Sequence, residues 1–223
     1  YEASREIPAT MSVSELKRRG QGQTEEVAQL YREPAVIPLL PRFRRGEKAK
    51  AGAAVGTLYH KFLEHLDFEK TESYQELDKQ LGHMVVSGRL SPEDAQSIDL
   101  QKIQGFLSSS IGGRMKEAAR RGELYRERPF VLGVEADRIN PGWDPREMIM
   151  VQGIIDAYFY ENGKIILVDY KTDRVLPQGE EKLLEKYRVQ LKCYADALTQ
   201  LTGTPVAEQY LYAFSIQKEL RNL

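Results

Sequence analysis

The stretch Gly153-Ile154-Ile155-Asp156-Ala157-Tyr158-Phe159-Tyr160-Glu161, then Asn162-Gly163, then Lys164-Ile165-Ile166-Leu167-Val168-Asp169-Tyr170-Lys171 decides the fold. Two runs rich in β-branched and aromatic residues flank Asn-Gly, a strong two-residue hairpin signal because both residues tolerate the positive φ that a type I′ turn requires. With Asn162 and Gly163 as the loop, Glu161 faces Lys164, and stepping outward along both strands brings Asp156 opposite Asp169. Directly opposed side chains have Cβ atoms about 4.5–5.5 Å apart, and like charges in that arrangement repel. The pair therefore calls for a positive partner. Side chains alternate along a strand, so Lys171 shares the face of Asp169. Its ammonium supplies part of the charge, but two carboxylates beside the apolar run 165–168 make a better hard-cation site. Taken singly, an Asp or Lys in a strand is usually an ordinary surface ion-pairing residue. Acids are depleted in strands, and these two interrupt apolar runs at matched positions, which favours the cation site.

Working outward, residues 124–132 read as a further strand before the hairpin. After it, a long helix is expected over 181–201, closed by Gly203, and then a last strand over 206–216. Toward the N-terminus, Ser12 and Glu15 have capping-box spacing ahead of a short helix that Gly20 can end. Residues 21–50, with Pro34, Pro38 and Pro41 and little periodicity, read as an extended arm. Val55, Leu58, Tyr59, Phe62, Leu63 and Leu66 recur at helical spacing over 55–69, with His60 at the margin of the buried stripe. A second helical block follows in the seventies and eighties, and Ser91-Pro92 opens a third. The expected architecture is α/β: a mixed central sheet flanked by helices, preceded by a helical region that forms an accessory layer. One domain over 1–223 is expected, divided into the helix and arm of 1–50, a helical part over 51–122 and an α/β core over 123–223.

Composition narrows the possible functions. Thirty-two Lys and Arg against 33 Asp and Glu give a formal charge of -1, so affinity for a polyanion must rest on local patches. A single cysteine, Cys193, excludes an internal disulfide framework and any cluster or zinc site needing several thiolates, and it fits a reducing cytoplasm. No apolar run approaches the roughly 20 residues of a spanning helix, so no membrane partner is expected. The chain opens at Tyr1 rather than Met, and we expect a piece of a longer protein.

The segments Gly153-Ile154-Ile155-Asp156 and Val168-Asp169-Tyr170-Lys171-Thr172 resemble the core signature of the RecB-type branch of PD-(D/E)XK nucleases. Gly56-Thr57-Leu58-Tyr59-His60, Tyr125-Arg126-Glu127-Arg128-Pro129-Phe130 and Gln190-Leu191-Lys192-Cys193-Tyr194 agree with that branch. Within it, Ser12-Val13-Ser14-Glu15-Leu16-Lys17 and Leu211-Tyr212-Ala213-Phe214-Ser215 are most similar to nuclease domains of the bacterial AddAB-type helicase-nucleases. Any one segment occurs by chance in many chains; the specificity lies in their shared order. The resemblance is weakest over 71–122.

What the resemblance implies is a restriction-endonuclease-like core and metal-dependent hydrolysis of DNA. It implies metal ligation by His60, Asp156, Asp169 and the Tyr170 carbonyl, with Lys171 acting on the attacking water. Gln190 and Tyr194 would support the site, Gln190 near the scissile phosphate or Lys171 and Tyr194 on the DNA backbone. Read by periodicity alone, Tyr194 belongs to the buried helix stripe and Gln190 borders it. Oxygen-dominated ligation favours Mg²⁺, with Mn²⁺ an easy substitute. An iron–sulfur cluster is not expected with one cysteine, and without a G-x-x-x-x-G-K-[ST] loop ATP would act only in a motor outside this chain. Expected partners are single-stranded DNA ends at a processed double-strand break and an AddB-like second subunit, in the bacterial cytoplasm. Glu127 either supports the ion from behind or pairs with Arg126 or Arg128. Thr172, Arg174, Arg42, Arg44 and Arg45 are candidate phosphate contacts, while His65 and His83 carry no functional reading. A catalytically idle scaffold and a free-standing nuclease of the same fold are the alternatives.

Overall fold

A computed structural model describes residues 7–20 and 51–222; the expected arm over 21–50, with Arg42, Arg44 and Arg45, lies outside the described residues. In chain order the elements are β1 (Thr10–Ser12), α1 (Val13–Gly20), α2 (Ala51–His65), α3 (Tyr74–Val86), α4 (Pro92–Gln96), α5 (Leu100–Leu107), α6 (Ser110–Arg120), β2 (Leu124–Glu135), α7 (Ala136–Ile139), β3 (Met148–Glu161), β4 (Lys164–Lys171), α8 (Glu180–Thr202), β5 (Val206–Ala213) and β6 (Lys218–Asn222). Helices α1, α3, α4, α5 and α6 start where short polar side chains satisfy orphan N–H groups. The Ser12 hydroxyl accepts from Glu15 N–H while the Glu15 carboxylate accepts from Ser12 N–H, so the capping box at α1 is reciprocal. Ser73 and Glu76 repeat it at α3. Ser91 caps α4 with Pro92 behind it. Caps at Asp99 and Ser109 then start α5 and α6, which is why the single third block expected from sequence is three helices.

The sheet is mixed, in the order β1-β3-β4-β5-β6, with β2 pairing β3. β2 and β4 run antiparallel to β3 while β1 runs parallel to it, and α8 carries the chain across from β4 to the parallel β5. A parallel neighbour needs a crossover of this kind. Two strands escape the sequence reading. β1 has three residues, too few to show a period. β6 returns beside β5 after a turn with Gln217 at φ 50, so the expected last strand ends at Ala213 instead of running on to 216.

Two arrangements position the site. First, β3 changes its second neighbour: β1 pairs at 150–152 and β4 from Ala157 onward, and Asp156 falls in the interval between them. Second, the facing of β3 reverses there. Ile149, Val151 and Ile155 pack with α8, whereas Ala157 and Phe159, of the same parity, pack with the helices on the opposite side. Strict alternation would keep all five on one face. The strand pair β2/β3 therefore breaks its regular alternation at Glu127 and Asp156, and Glu127 has the positive φ of 46 that such a break requires.

The helical region is no appendage. Phe62, Leu63, Leu77, Ile103, Phe106, Ile111 and Met115 form one cluster with Phe159, Ile166, Val168, Tyr170, Tyr212 and Phe214 of the sheet and its margin. Phe106 meets Tyr212 and Tyr170 edge-on, with ring centres 4.8 and 5.5 Å apart. On the other face Leu183, Tyr187, Leu191, Tyr194 and Leu198 of α8 pack against Ile155, Ile165, Leu167 and Leu211. The sheet is thus buried on both sides, which explains the unbroken apolar run in β4.

Candidate metal centre

The hairpin pairs as its sequence predicts, from Glu161 with Lys164 out to Ala157 with Val168. One step farther, a side chain takes over from the ladder. The Tyr170 N–H donates to Asp156 Oδ2 at 2.8 Å. Asp156 therefore sits at the splayed end of the hairpin, 6% exposed, and Asp169 is fully buried beside it. The positive partner required by the opposed acids is Lys171, whose Nζ lies 2.6 Å from Asp169 Oδ2. From α8, Gln190 Nε2 donates to Asp169 Oδ1 at 3.2 Å and to the Tyr194 hydroxyl at 2.9 Å. Gln190 and Tyr194 reach the site as expected, but Gln190 holds a carboxylate rather than Lys171, and Tyr194 stands behind it with its ring against Phe130. Burial in the stripe and a polar role at its tip are both true of Tyr194.

α2 brings His60 to the other carboxylate of the pair, Asp156. Its Nδ1 is 3.4 Å from Asp156 Oδ1 and 3.6 Å from Glu127 Oε1, and its Nε2 is 3.1 Å from the Tyr170 carbonyl oxygen. Both ring nitrogens face oxygens, and the doubly protonated imidazolium can donate to both sides. Glu127 belongs to this group rather than to its arginine neighbours. Arg126 donates to the Leu63 and Leu66 carbonyls at the end of α2, at 2.8 and 2.6 Å, and Arg128 lies over the Tyr125 ring. The β2/β3 register leads Arg126 to Ala157 and Arg128 to Ile155, which puts Glu127 level with Asp156 at the break. Sequence reasoning leaves Glu127 open because its position depends on that long-range register.

The charges explain the titration of the group. Burial disfavours protonation of His60, but the charge and hydrogen bond of Asp156, with Glu127, outweigh it and raise the imidazole to about 10. At Asp156 burial is likewise the largest single effect, yet His60, Lys171 and the Tyr170 N–H together hold the carboxyl low. Asp169 goes the other way: burial, with Asp156 nearby, raises it against the pull of Lys171. Burial also raises Glu127.

His60, Glu127 and Asp156 each offer a ligand atom, all within 4.8 Å of one another. One imidazole with carboxylate oxygens suits a divalent cation of the Mg²⁺ or Mn²⁺ type. The charge balance agrees. With all three carboxylates ionised, Lys171 and a protonated His60 leave one negative charge over; a divalent ion in place of the imidazolium proton brings the group to neutrality. Asp169, engaged by Lys171 and Gln190, and the Tyr170 carbonyl, which faces His60 Nε2, lie beside this group of three donors, in which Glu127 is the addition to the set expected from sequence. Thr172 lies at the site's margin, its Oγ1 3.0 Å from where a Cβ on Gly56 would stand. Arg174 is exposed beyond it, and His65 neighbours Glu64 at 3.8 Å, away from the group.

A mixed sheet buried between helices, with two acids and a lysine at a splayed hairpin end, defines a class. The chain belongs to the PD-(D/E)XK nuclease superfamily, whose family model matches residues 35–221. Among its relatives is the A-type subunit of the ATP-dependent helicase/nuclease of Clostridium beijerinckii, 36% identical over 225 residues that cover 99% of this chain and 18% of that protein. The protein of that name from Alkaliphilus metalliredigens is 34% identical over 223 residues, covering 99% of this chain and 18% of the relative. The one from Clostridium kluyveri is 38% identical over 220 residues, covering 96% and 17%. The chain thus spans less than a fifth of the length of these relatives. No helix among the described residues is long and apolar enough to cross a membrane.

Proposed function

We propose that this chain is a divalent-metal-dependent deoxyribonuclease that hydrolyses phosphodiester bonds of single-stranded DNA. We further propose that it uses Mg²⁺ with Mn²⁺ able to substitute, and that it works within a bacterial, cytoplasmic ATP-driven helicase-nuclease. In that setting it would process double-strand breaks for recombinational repair, beside an AddB-like partner. The observation that carries the reading is the convergence of His60, Glu127 and Asp156 with the Asp169–Lys171 pair, at the interval where β3 exchanges β1 for β4.

His60, Asp156, Asp169 and the Tyr170 carbonyl would hold the ion, with Glu127 as a further carboxylate. Bound there, the ion supplies Lewis acidity to the phosphoryl oxygens and a lowered pKa to a water. Lys171, held as an ammonium by Asp169, would orient the attacking water and offset negative charge as the phosphorus becomes five-coordinate. Gln190 fixes the orientation of Asp169, and Tyr194 anchors Gln190 in turn. A free strand reaches a recessed centre of this kind more readily than a duplex does. A chain of formal charge -1 offers few phosphate contacts, and a tethered motor that feeds the strand makes strong intrinsic affinity unnecessary.

The test is cleavage of matched single- and double-stranded oligonucleotides by this chain, at near-physiological salt, with Mg²⁺, with Mn²⁺ and with EDTA. Slow, metal-dependent cutting with a preference for the single strand is expected. No cutting with either ion would leave a scaffold, and tight, salt-resistant duplex binding would move a free-standing nuclease ahead.

A further inference from the structure

Three ammonium groups surround one tyrosine ring beside this site. Lys17 of α1 lies 3.8 Å from the centre of the Tyr187 ring, Lys171 of β4 4.6 Å and Lys186 of α8 5.1 Å. An aromatic face attracts a cation by its quadrupole, and three on one ring must also repel each other. Two carboxylates answer them. Asp173 pairs with Lys186 and accepts from the Tyr187 hydroxyl at 2.9 Å, while Asp169 pairs with Lys171. Among the described residues the cluster therefore carries one ammonium in excess, that of Lys17. Burial, followed by Lys171 and Lys186, lowers Lys17 to about 8, so the fold tolerates an unfavourable cation there. The imbalance grows if Asp169 turns to an ion, because Asp173 then answers the cluster alone.

Lys17 is also held in place. β1 pairs with β3 at 150–152, on the strand that carries Asp156, and the reciprocal bonds of Ser12 and Glu15 start α1 directly from it. We propose that Lys17, with Lys171 and Lys186 on the Tyr187 ring, forms a second phosphate subsite that binds the backbone phosphate adjoining the scissile one. This assignment rests on the nuclease reading above. It gives α1 a role: it sets which linkage of an unstructured strand stops over the carboxylates. Such a contact is independent of sequence, as backbone-phosphate contacts are, and each one neutralised makes binding more salt-dependent.

The experiment combines one charge removed from the protein with one removed from the DNA. Single-stranded oligonucleotides carrying one neutral methylphosphonate linkage, moved position by position, are cut with Mn²⁺ by this chain and by its Lys17→Met, Lys17→Gln and Lys17→Arg variants. For the unaltered chain, neutralising the linkage next to the cut should raise KM about tenfold, the size of one good ionic contact, with a smaller change in kcat. Lys17→Met and Lys17→Gln should show that loss on unmodified DNA and no further loss from the neutral linkage. The slope of log(kcat/KM) against log salt should be shallower by about 0.7, and Lys17→Arg should restore most of the affinity. Equal cost of the neutral linkage with and without Lys17 overturns the subsite, as does an unchanged salt slope. Should Lys17→Met melt too low to assay, Lys17→Gln carries the comparison. Fluorescence anisotropy of the same oligonucleotides in EDTA reads the subsite without cleavage. Binding that depends on Lys17 in a chain that never cuts would sink the nuclease reading alone, and cutting with additive losses would sink the subsite alone.

Discussion

Under the proposed function, metal uptake at this site has to expel a proton. The His60 imidazole bridges Asp156 and Glu127 on one side and the Tyr170 carbonyl on the other, and its pKa rises from the ordinary 6.5 to about 10. A nitrogen that ligates a metal must be unprotonated, so binding and deprotonation are coupled. The magnitude follows from that value: at pH 8.5 nearly every His60 is charged, whereas the raised Asp169 carboxyl is ionised. Each ion bound should therefore release about one proton, and apparent affinity should rise about tenfold per pH unit between roughly pH 7 and 9. Titration calorimetry of Mn²⁺ into this chain, in two buffers of different protonation enthalpy, counts the protons directly. His60→Gln, which keeps the size but cannot hold a charge, should reduce the count to near zero and weaken binding. Release of less than about a third of a proton, or an equal count in His60→Gln, would refute the bridging imidazolium and with it the position of the ion.

Three further outcomes test other parts of the reasoning. Lys171→Ala should keep metal affinity within about threefold and lose at least about a hundredfold in cleavage, since the lysine acts on water and charge; a loss of affinity equal to that of Asp169→Ala would contradict this. Because the folded His60 pKa is raised, its stabilisation is complete below about 6.5 and is lost as pH rises through about 10. In EDTA the melting temperature should therefore fall by about 5 °C or more between pH 7 and 10, beyond any fall in His60→Gln measured alongside. Phe106→Ala removes a ring fully buried against Tyr170 and Tyr212 and should cost about 3–5 kcal/mol. Amide exchange should show the hairpin and the helical layer losing protection together, and a hairpin that stays protected while the helices open would separate the two.

The hairpin that carries Asp156 and Asp169 is legible in the sequence because it is local. Asn162-Gly163 sets the turn, the turn sets the register, and the register places Asp156 level with Asp169 without reference to the rest of the chain. The cap at Ser12 and the end of α8 at Gly203 are legible for the same reason: the groups that satisfy those helix ends are neighbours in sequence. Glu127 and Lys17 are not. Glu127 acquires its meaning from the β2/β3 register across a break at positive φ, and Lys17 from a ring on a helix far away in sequence. Periodicity identifies which face of an element is buried and not what covers it. The helical layer therefore reads as an accessory, although its side chains make up most of one of the two buried clusters. His60 is found by resemblance alone, since a histidine on the margin of an apolar stripe is ordinarily packing or surface.

Arg126 ties the end of α2 to β2 through the Leu63 and Leu66 carbonyls. The residue one turn before Leu63 is His60, and the residue after Arg126 is Glu127. A single guanidinium thus works as a caliper whose two jaws carry an imidazole and a carboxylate, and the opening between them is fixed by a helix cap that never meets the site. An ion gripped there would be gauged by that opening, so discrimination among cations of different radius becomes a matter of how firmly a helix is fastened at its far end.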